Sequence, residues 1–526
     1  MAIASTAGIL ALSLVAVYLV SRLLRSNSSE RPLPPGPKGL PLLGNVNDLP
    51  KPGGELECHH WLKHRDLYGS ISSVTVLGQT FIIINDAKIA LQLLRDRSAI
   101  HSARPHMVFS SDMIGWKNTL AFSGYTDTFK IHRKNIAKVA GSTVSLTVFD
   151  RVQEEESVHF LLNLLDTPEN LFDHIKKEAG AVILKITYGY TAEAHGNDHL
   201  VDMAGKTMHE FAESTVPGKW AVDIMPFLRY APEWLPGTGF KNIARQMELQ
   251  LRQTTEQPYN FVKQQMREKK NKVSFLSQAI DNLGSDPEME NIHKWSASSM
   301  YLGGADTTVS SLMTFFLAMT VYPEVQEAAR RELDSVVGDR LPTSADRERL
   351  PYIQALVSET HRWHPVAPMA LPHASTKEDI VGGYRIPKGS LLMANNWWFT
   401  HDPAVYPDPM IFRPERFMGP EPQPDPRNWI FGYGRRVCPG RYVADNALFI
   451  TIAQTLAVYK IQKAVDGNGK TIEPELKFEA GVVSHPIPYR TSITPRSEKH
   501  AQIIRLAEKE YPWEKSDAET LKAMKW

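Results

Sequence analysis

The chain has 526 residues, more than one ordinary domain needs, so it forms two domains or one large domain built around a cofactor. Hydrophobic residues make up 42% and charged residues 22%, which excludes a disordered or fibrous chain, and a net charge of +1 gives no sign of a nucleic-acid partner. The two cysteines, Cys58 and Cys438, exclude a disulfide framework and suit a reducing compartment. A lone cysteine is most often a small buried hydrophobe, and that reading holds for Cys58.

Residues 2–21 carry no charge and are about the length of a bilayer-spanning helix. A cleaved secretory signal would have basic residues before its apolar stretch. Here Arg22 and Arg25 follow it, which predicts a retained anchor with the body on the cytosolic side. Residues 22–45 read as a basic, proline-rich hinge containing Pro34-Pro35-Gly36-Pro37, a stiff spacer that cannot continue a helix.

The body, residues 46–496, reads as mainly helical with small sheets. Ile71 to Val76 and Phe81 to Ile84, broken by Leu77-Gly78, predict a hairpin. From about Thr143 to Val336 the periodicity is helical. Within it, a helix is predicted from Pro287 to Val321, with proline at the first position and Glu288 and Glu290 at its positive end. Strand signals return at Tyr384 to Ile386 and Leu391 to Met393, separated by a Pro387-Lys388-Gly389 turn. Tyr442 to Val458, apolar nearly all round, predicts a buried helix. Residues 497–526 are a charged tail, a surface helix or a frayed end.

Three motifs carry chemistry. In Phe431-Gly432-Tyr433-Gly434-Arg435-Arg436-Val437-Cys438-Pro439-Gly440, glycines permit the tight turns that point backbone N–H groups at one sulfur. The apolar run behind Cys438 puts it just before a helix N-terminus, which favours a thiolate, and Arg436 can pair with a carboxylate. A chance match at five of these positions is on the order of 10⁻⁴ per chain. The second motif, Glu359-Thr360-His361-Arg362, places opposite charges on one helix face. Glu327 and Arg330 have the same spacing and are expected to be an exposed pair of little value. Only Glu359 is followed by Trp363, Pro365 and, later, Arg413-Pro414-Glu415-Arg416-Phe417. The third is Gly303-Gly304-Ala305-Asp306-Thr307-Thr308. Two glycines inside a helix each cost about 1 kcal/mol relative to alanine but let a flat ligand lie against the backbone. Asp306 and Thr307 then offer an acid and a hydroxyl beside it.

In order and spacing these motifs resemble the cytochrome P-450 family, from the anchor through Pro488. The resemblance implies that family's fold, a haem b cofactor with Cys438 as axial iron ligand, and Phe431, Arg436 and Gly440 around the haem. It implies that Asp306 and Thr307 deliver protons, and that Glu359, Arg362 and Arg416 form a charge network behind the haem. The segment from Tyr125 to Lys134 resembles the family's haem-contacting helix. Arg133 fits there as a propionate partner, with His132 as a second candidate, while Phe129 replaces the usual tryptophan and loses an N–H donor. His373 stands where a basic propionate partner is often found. A lipophilic pocket would be lined by Val108, Phe109, Met113, Leu302, Gly303, Met369 and Val482.

With no nicotinamide or flavin fingerprint in the chain, NADPH would act only through a separate, membrane-bound NADPH–cytochrome P-450 reductase. Lys130, Arg133, Lys134, Arg435 and Arg441 would form its basic docking face. The implied activity is insertion of one oxygen atom from dioxygen into a lipophilic molecule, at the endoplasmic reticulum membrane. Glu-Thr-His-Arg-Trp-His-Pro further resembles fungal enzymes of secondary metabolism, O-methylsterigmatocystin oxidoreductase-like proteins among them. Two rivals are a haem-thiolate isomerase or dehydratase, which would not need the acid–alcohol pair, and a membrane-tethered haem carrier without turnover.

Overall fold

The β-branched residues of Ile71–Val76 (β1) and Gln79–Ile84 (β2) pair antiparallel, and the turn between them places Leu77 and Gly78 at φ of 49° and 89°. The computed structural model describes residues 31–524 except 52–53, 142, 217 and 282–285. The anchor expected at 2–21 lies outside the described residues, and among these no helix is long and apolar enough to cross a membrane. The described part of the hinge is laid along β1: Ser73 N donates to Pro35 O at 2.9 Å, and Asn45 N to Thr75 O at 2.7 Å. A Cβ on Gly36 or Gly44 would come within 1.9 Å of a β1 carbonyl oxygen, so glycine is required for this approach.

The longer helices are α1 (Glu57–Tyr68), α2 (Asp127–Ala140), α3 (Thr143–Asp166), α4 (Leu171–Tyr188), α5 (His199–Ser214), α6 (Phe240–Arg267), α7 (Pro287–Val321), α8 (Pro323–Val336), α9 (Pro351–Trp363), α10 (Arg441–Val458), α11 (Glu498–Glu510) and α12 (Ala518–Ala523). The start of α7 is set as expected: Pro287 opens it, and the Asp286 side chain accepts from Glu288 N and Met289 N. Its C-terminal half, with Phe315, Phe316 and Leu317, packs with Leu356 of α9 and Phe449 and Leu456 of α10 in one apolar core. Its N-terminal half, with Ala297, Tyr301 and Leu302, joins Phe129, Ile183, Leu200 and Phe261 in a second. α7 is thus the shared axis of both cores.

The remaining strands are β3 (His373–Ala374), β4 (Asp379–Val381), β5 (Tyr384–Ile386), β6 (Leu391–Ala394), β7 (Tyr459–Lys463) and β8 (Thr491–Pro495). β5 and β6, adjacent in sequence, belong to different sheets. β5 pairs antiparallel with β4, whereas β6 runs parallel to β2 and antiparallel to β3. The pair Glu327–Arg330 does not form; Arg330 donates to Gln326 at 2.7 Å and to Tyr459 O at 3.0 Å, tying α8 to β7. The charged tail is folded onto the body. Ile504, Tyr511 and Leu521 are buried, Trp513 stacks on His159 at 3.9 Å, and Thr191 N donates to Asp517 at 2.9 Å.

Candidate active site

The loop before α10 is shaped by glycine. Gly432 and Gly434 have φ of 81° and 49°, and a Cβ on Gly434 would lie 2.6 Å from Leu94 O. This tight path lets Cys438 N donate to Phe431 O at 2.7 Å and sets the thiol at the entrance of α10, partly exposed. Burial pushes the Cys438 thiol up, opposed by the Gly440 N–H and by the charges of Arg133 and Arg441. Those three groups would stabilise a thiolate ligand. The other cysteine, Cys58, is fully enclosed beside Trp61, and burial drives its thiol to about 12, as expected for an inert core residue.

Around this loop gather cations that lack a carboxylate. Arg436 is buried, donates to the carbonyls of Ser102 at 2.8 Å and Ser123 at 2.7 Å, and stacks 3.9 Å over Phe129. Arg133 donates to Val437 O at 2.6 Å, next to the cysteine. Arg104, which the sequence reading missed, donates to the carbonyls of Ala121, Leu371 and Pro372. Burial lowers Arg104 to about 9 and Arg436 to about 10, each lowered further by a neighbouring arginine. Among the described residues none of the three has an ion-pair partner. A cluster of cations, one buried and two half-buried, satisfied only by carbonyls is incomplete, and an anionic group completes it. His373 is buried against this cluster, and burial and Arg104 hold it well below its ordinary value. Its Nδ1 donates to His101 O at 2.6 Å, so the neutral ring offers only an acceptor at Nε2 and gives a carboxylate a hydrogen bond only as imidazolium. His132 turns away to Ser296 of α7, at 2.8 Å.

Across from the loop, α7 opens. Met300 to Leu302 and Val309 to Thr320 are buried, but Gly303 to Thr308 between them are exposed or partly so. The two glycines have separate uses. A Cβ on Gly303 would meet nothing within 4 Å, while one on Gly304 would lie 2.8 Å from Ile183, so Gly303 faces space and Gly304 seats α7 on α4. Thr307 Oγ1 donates to Gly303 O at 2.7 Å. Asp306 lies 3.1 Å from Nε2 of His485, a partner the sequence reading also missed, since it comes from a loop far along the chain. Ala305 of α7 and Val443 of α10 border the same apolar cluster, so the opened helix face and the cysteine loop share one interior space. A space with a thiol on one side, small residues on the other and unpaired cations at its rim fits a haem with two propionates.

Behind the loop, Glu359 is fully buried. It receives Arg362 Nε at 2.6 Å and Nη2 at 2.8 Å, Arg413 N at 2.7 Å and Arg416 Nε at 3.2 Å. The same helix sends His361 to 3.4 Å from Asp445 of α10, and its ring meets Phe431 edge-on. Of the expected pocket residues, Val108, Phe109, Met113, Leu302 and Val482 belong to one apolar cluster. Phe109 is fully buried and stacks on Trp220 at 3.7 Å. Met369 stands apart from them, packed with Cys58, Trp61, Val74, Ile83 and Met393.

The family model for cytochrome P-450 matches residues 34–493. The chain is 43% identical over 516 residues to cytochrome P-450 monooxygenase claR of Ampulloclitocybe clavipes, covering 97% of this chain and 95% of that protein. It is 42% identical to cytochrome P-450 monooxygenase ppsD of Aspergillus oryzae, covering 97% and 98%. It is 38% identical to O-methylsterigmatocystin oxidoreductase of Aspergillus flavus, covering 96% of each chain. Enzymes of this kind carry haem b and receive electrons from NADPH through a reductase. By its motifs, its fold and this near full-length similarity, the chain belongs to the cytochrome P-450 family of monooxygenases.

Proposed function

We propose that the protein inserts one oxygen atom from dioxygen into a lipophilic small molecule in a fungal secondary-metabolite route, anchored by residues 2–21 to the endoplasmic reticulum with its body in the cytosol. The reading rests on one observation: a glycine-built loop holds Cys438, partly exposed, beside arginines that have no ion-pair partner among the described residues, and α7 leaves Gly303 to Thr308 uncovered. Bound haem supplies the activation of dioxygen. Cys438 would hold the iron through its sulfur, steadied by the Gly440 N–H; Phe431 and Gly440 bound the loop; Arg133, Arg436 and, when protonated, His373 would take the propionates. Asp306 and Thr307 move protons into the space beside Gly303. Thr307 already donates its hydroxyl hydrogen to Gly303 O, so its oxygen is free to accept one. Val108, Phe109, Met113, Leu302 and Val482 keep the substrate side dry and apolar, and Met369 lies behind that wall.

Lys130, Lys134 and Arg435 are exposed on the cysteine side, with Arg133 and Arg441 beside them, which suits docking of an acidic reductase face. The relatives' printed names, monooxygenase and oxidoreductase, favour oxidation over the isomerase and carrier readings.

The test is the carbon monoxide spectrum of the reduced, haem-loaded protein. It should show the long-wavelength band of a thiolate-bound haem, and Cys438→Ala should lose that band while keeping the fold. A Cys438→Ala protein that kept the band would end the assignment. Product formed without NADPH and reductase would favour the isomerase reading. Comparing extracts of cells with and without the protein would reveal the substrate class.

A further inference from the structure

The ion pair between Asp306 and His485 has no place in the acid–alcohol scheme by itself, and its geometry is specific. His485 Nε2 lies 3.1 Å from Asp306 Oδ1, and both side chains are about one-fifth exposed (19% and 21%). The loop that carries His485 is clamped to the same helix one turn onward, where Ser310 Oγ donates to Ser484 O at 2.6 Å. Ser484 N donates to Val366 O at 2.9 Å, and Glu479 N to His485 O at 2.8 Å, so the ring is presented from a tied-down segment. Thr307, next to Asp306, has its hydroxyl hydrogen committed to Gly303 O and cannot originate a proton. Asp306 must therefore be recharged from another group, and among the described residues His485 is the titratable side chain that touches it.

Resting on the monooxygenase reading above, we propose that His485 is a positioning residue that carries protons from solvent to Asp306. The imidazolium N–H bond at Nε2 breaks as an O–H bond forms at Asp306 Oδ1, turning the ion pair into a neutral imidazole and a neutral carboxylic acid. Asp306 releases that proton toward Thr307, and a solvent proton restores the imidazolium. The charged groups facing His485 suit the role. They are Asp306 from α7 and Glu479 from its own loop; the other titratable neighbour, His364 just after α9, is held near 3 by burial and stays neutral. Burial lowers the pKa of His485, but Asp306 and Glu479 outweigh it and leave it above the ordinary histidine value. The imidazolium is therefore held more firmly than in an ordinary histidine, and the relay fails as pH rises through the His485 pKa.

The test uses haem-loaded, full-length protein with reductase, NADPH and dioxygen alone, and measures the share of NADPH that appears as hydrogen peroxide rather than water. In the wild type that share should climb as pH rises from about 6 to about 9. His485→Gln keeps an N–H for Asp306 but carries no transferable proton. Its water-forming turnover should fall at least ~10-fold near neutral pH and lose its pH dependence, with the carbon monoxide band unchanged. Independently, the nitrogen-15 resonance of a labelled histidine that vanishes in His485→Gln should titrate above about 6.5 in the wild type and lower in Asp306→Asn. A wild-type peroxide share in His485→Gln with the same pH profile, or a His485 that titrates at or below the ordinary value, overturns the proposal. Neither result touches the thiolate assignment, which only the carbon monoxide band tests.

Discussion

Glu359 shows how much one residue carries here. Its carboxylate accepts from two guanidiniums and a backbone N–H with no exposure to water. Such a group gains little over an apolar core when complete but is costly to break. Glu359→Gln would leave Arg362 and Arg416 buried with no compensating charge. We expect it to lower stability by about 3–5 kcal/mol, read as a lower thermal midpoint and a smaller yield of haem-loaded protein. Arg104 illustrates the opposite case, a buried cation whose neighbours supply carbonyls only. Nothing in its local sequence distinguishes it from a surface arginine.

At the level of elements, α7 is seated by contact with α4 and α10. Gly304 allows the first approach, and Ile183 fills the space a side chain would need. Between α4 and α10 lies Glu178, bonded to the hydroxyl of Thr451, with its second oxygen enclosed and unpaired. Burial raises Glu178 to about 8. A carboxyl whose folded value is raised contributes stability that is complete below its unfolded value, near 4.5, and is lost as pH rises through about 8. Glu178→Gln cannot ionise and still accepts from Thr451. It should match the wild type at low pH and exceed it by up to about 5 kcal/mol above pH ~8, measured by denaturant unfolding across that range.

Across the whole molecule, the tail packs onto α3 and α4 and the stretch that follows α4. α11 and α12 bury Ile504, Tyr511 and Leu521, and ion pairs from Lys185 and Lys272 to Glu514 hold the stretch between them. Burying a large apolar side chain is worth about 1.5–3 kcal/mol, so three of them outweigh the modest surface pairs. Truncation after Pro495 should cost at least ~3 kcal/mol and reduce the folded yield, while whatever haem-loaded protein remains keeps its carbon monoxide band. A shifted band in that truncated protein would mean that the tail reaches the cysteine loop through the core.

What the amino-acid order determined alone is local. The hairpin at residues 71–84, the span and cap of α7 and the glycine-built cysteine loop follow from propensity, periodicity and turn chemistry within a few residues of each site. Arg416 was joined to the Glu359–Arg362 pair only through the resemblance to a known family, because it lies more than fifty residues from Glu359. Tertiary structure alone decided that β5 and β6 part company, that the proline-rich stretch lies along β1, and that Arg330 serves β7 rather than Glu327. It also brought Arg104 beside Arg436 and His485 to Asp306. These pairings depend on which buried polar groups the packing leaves unsatisfied, a property of the assembled core that no short window of sequence contains.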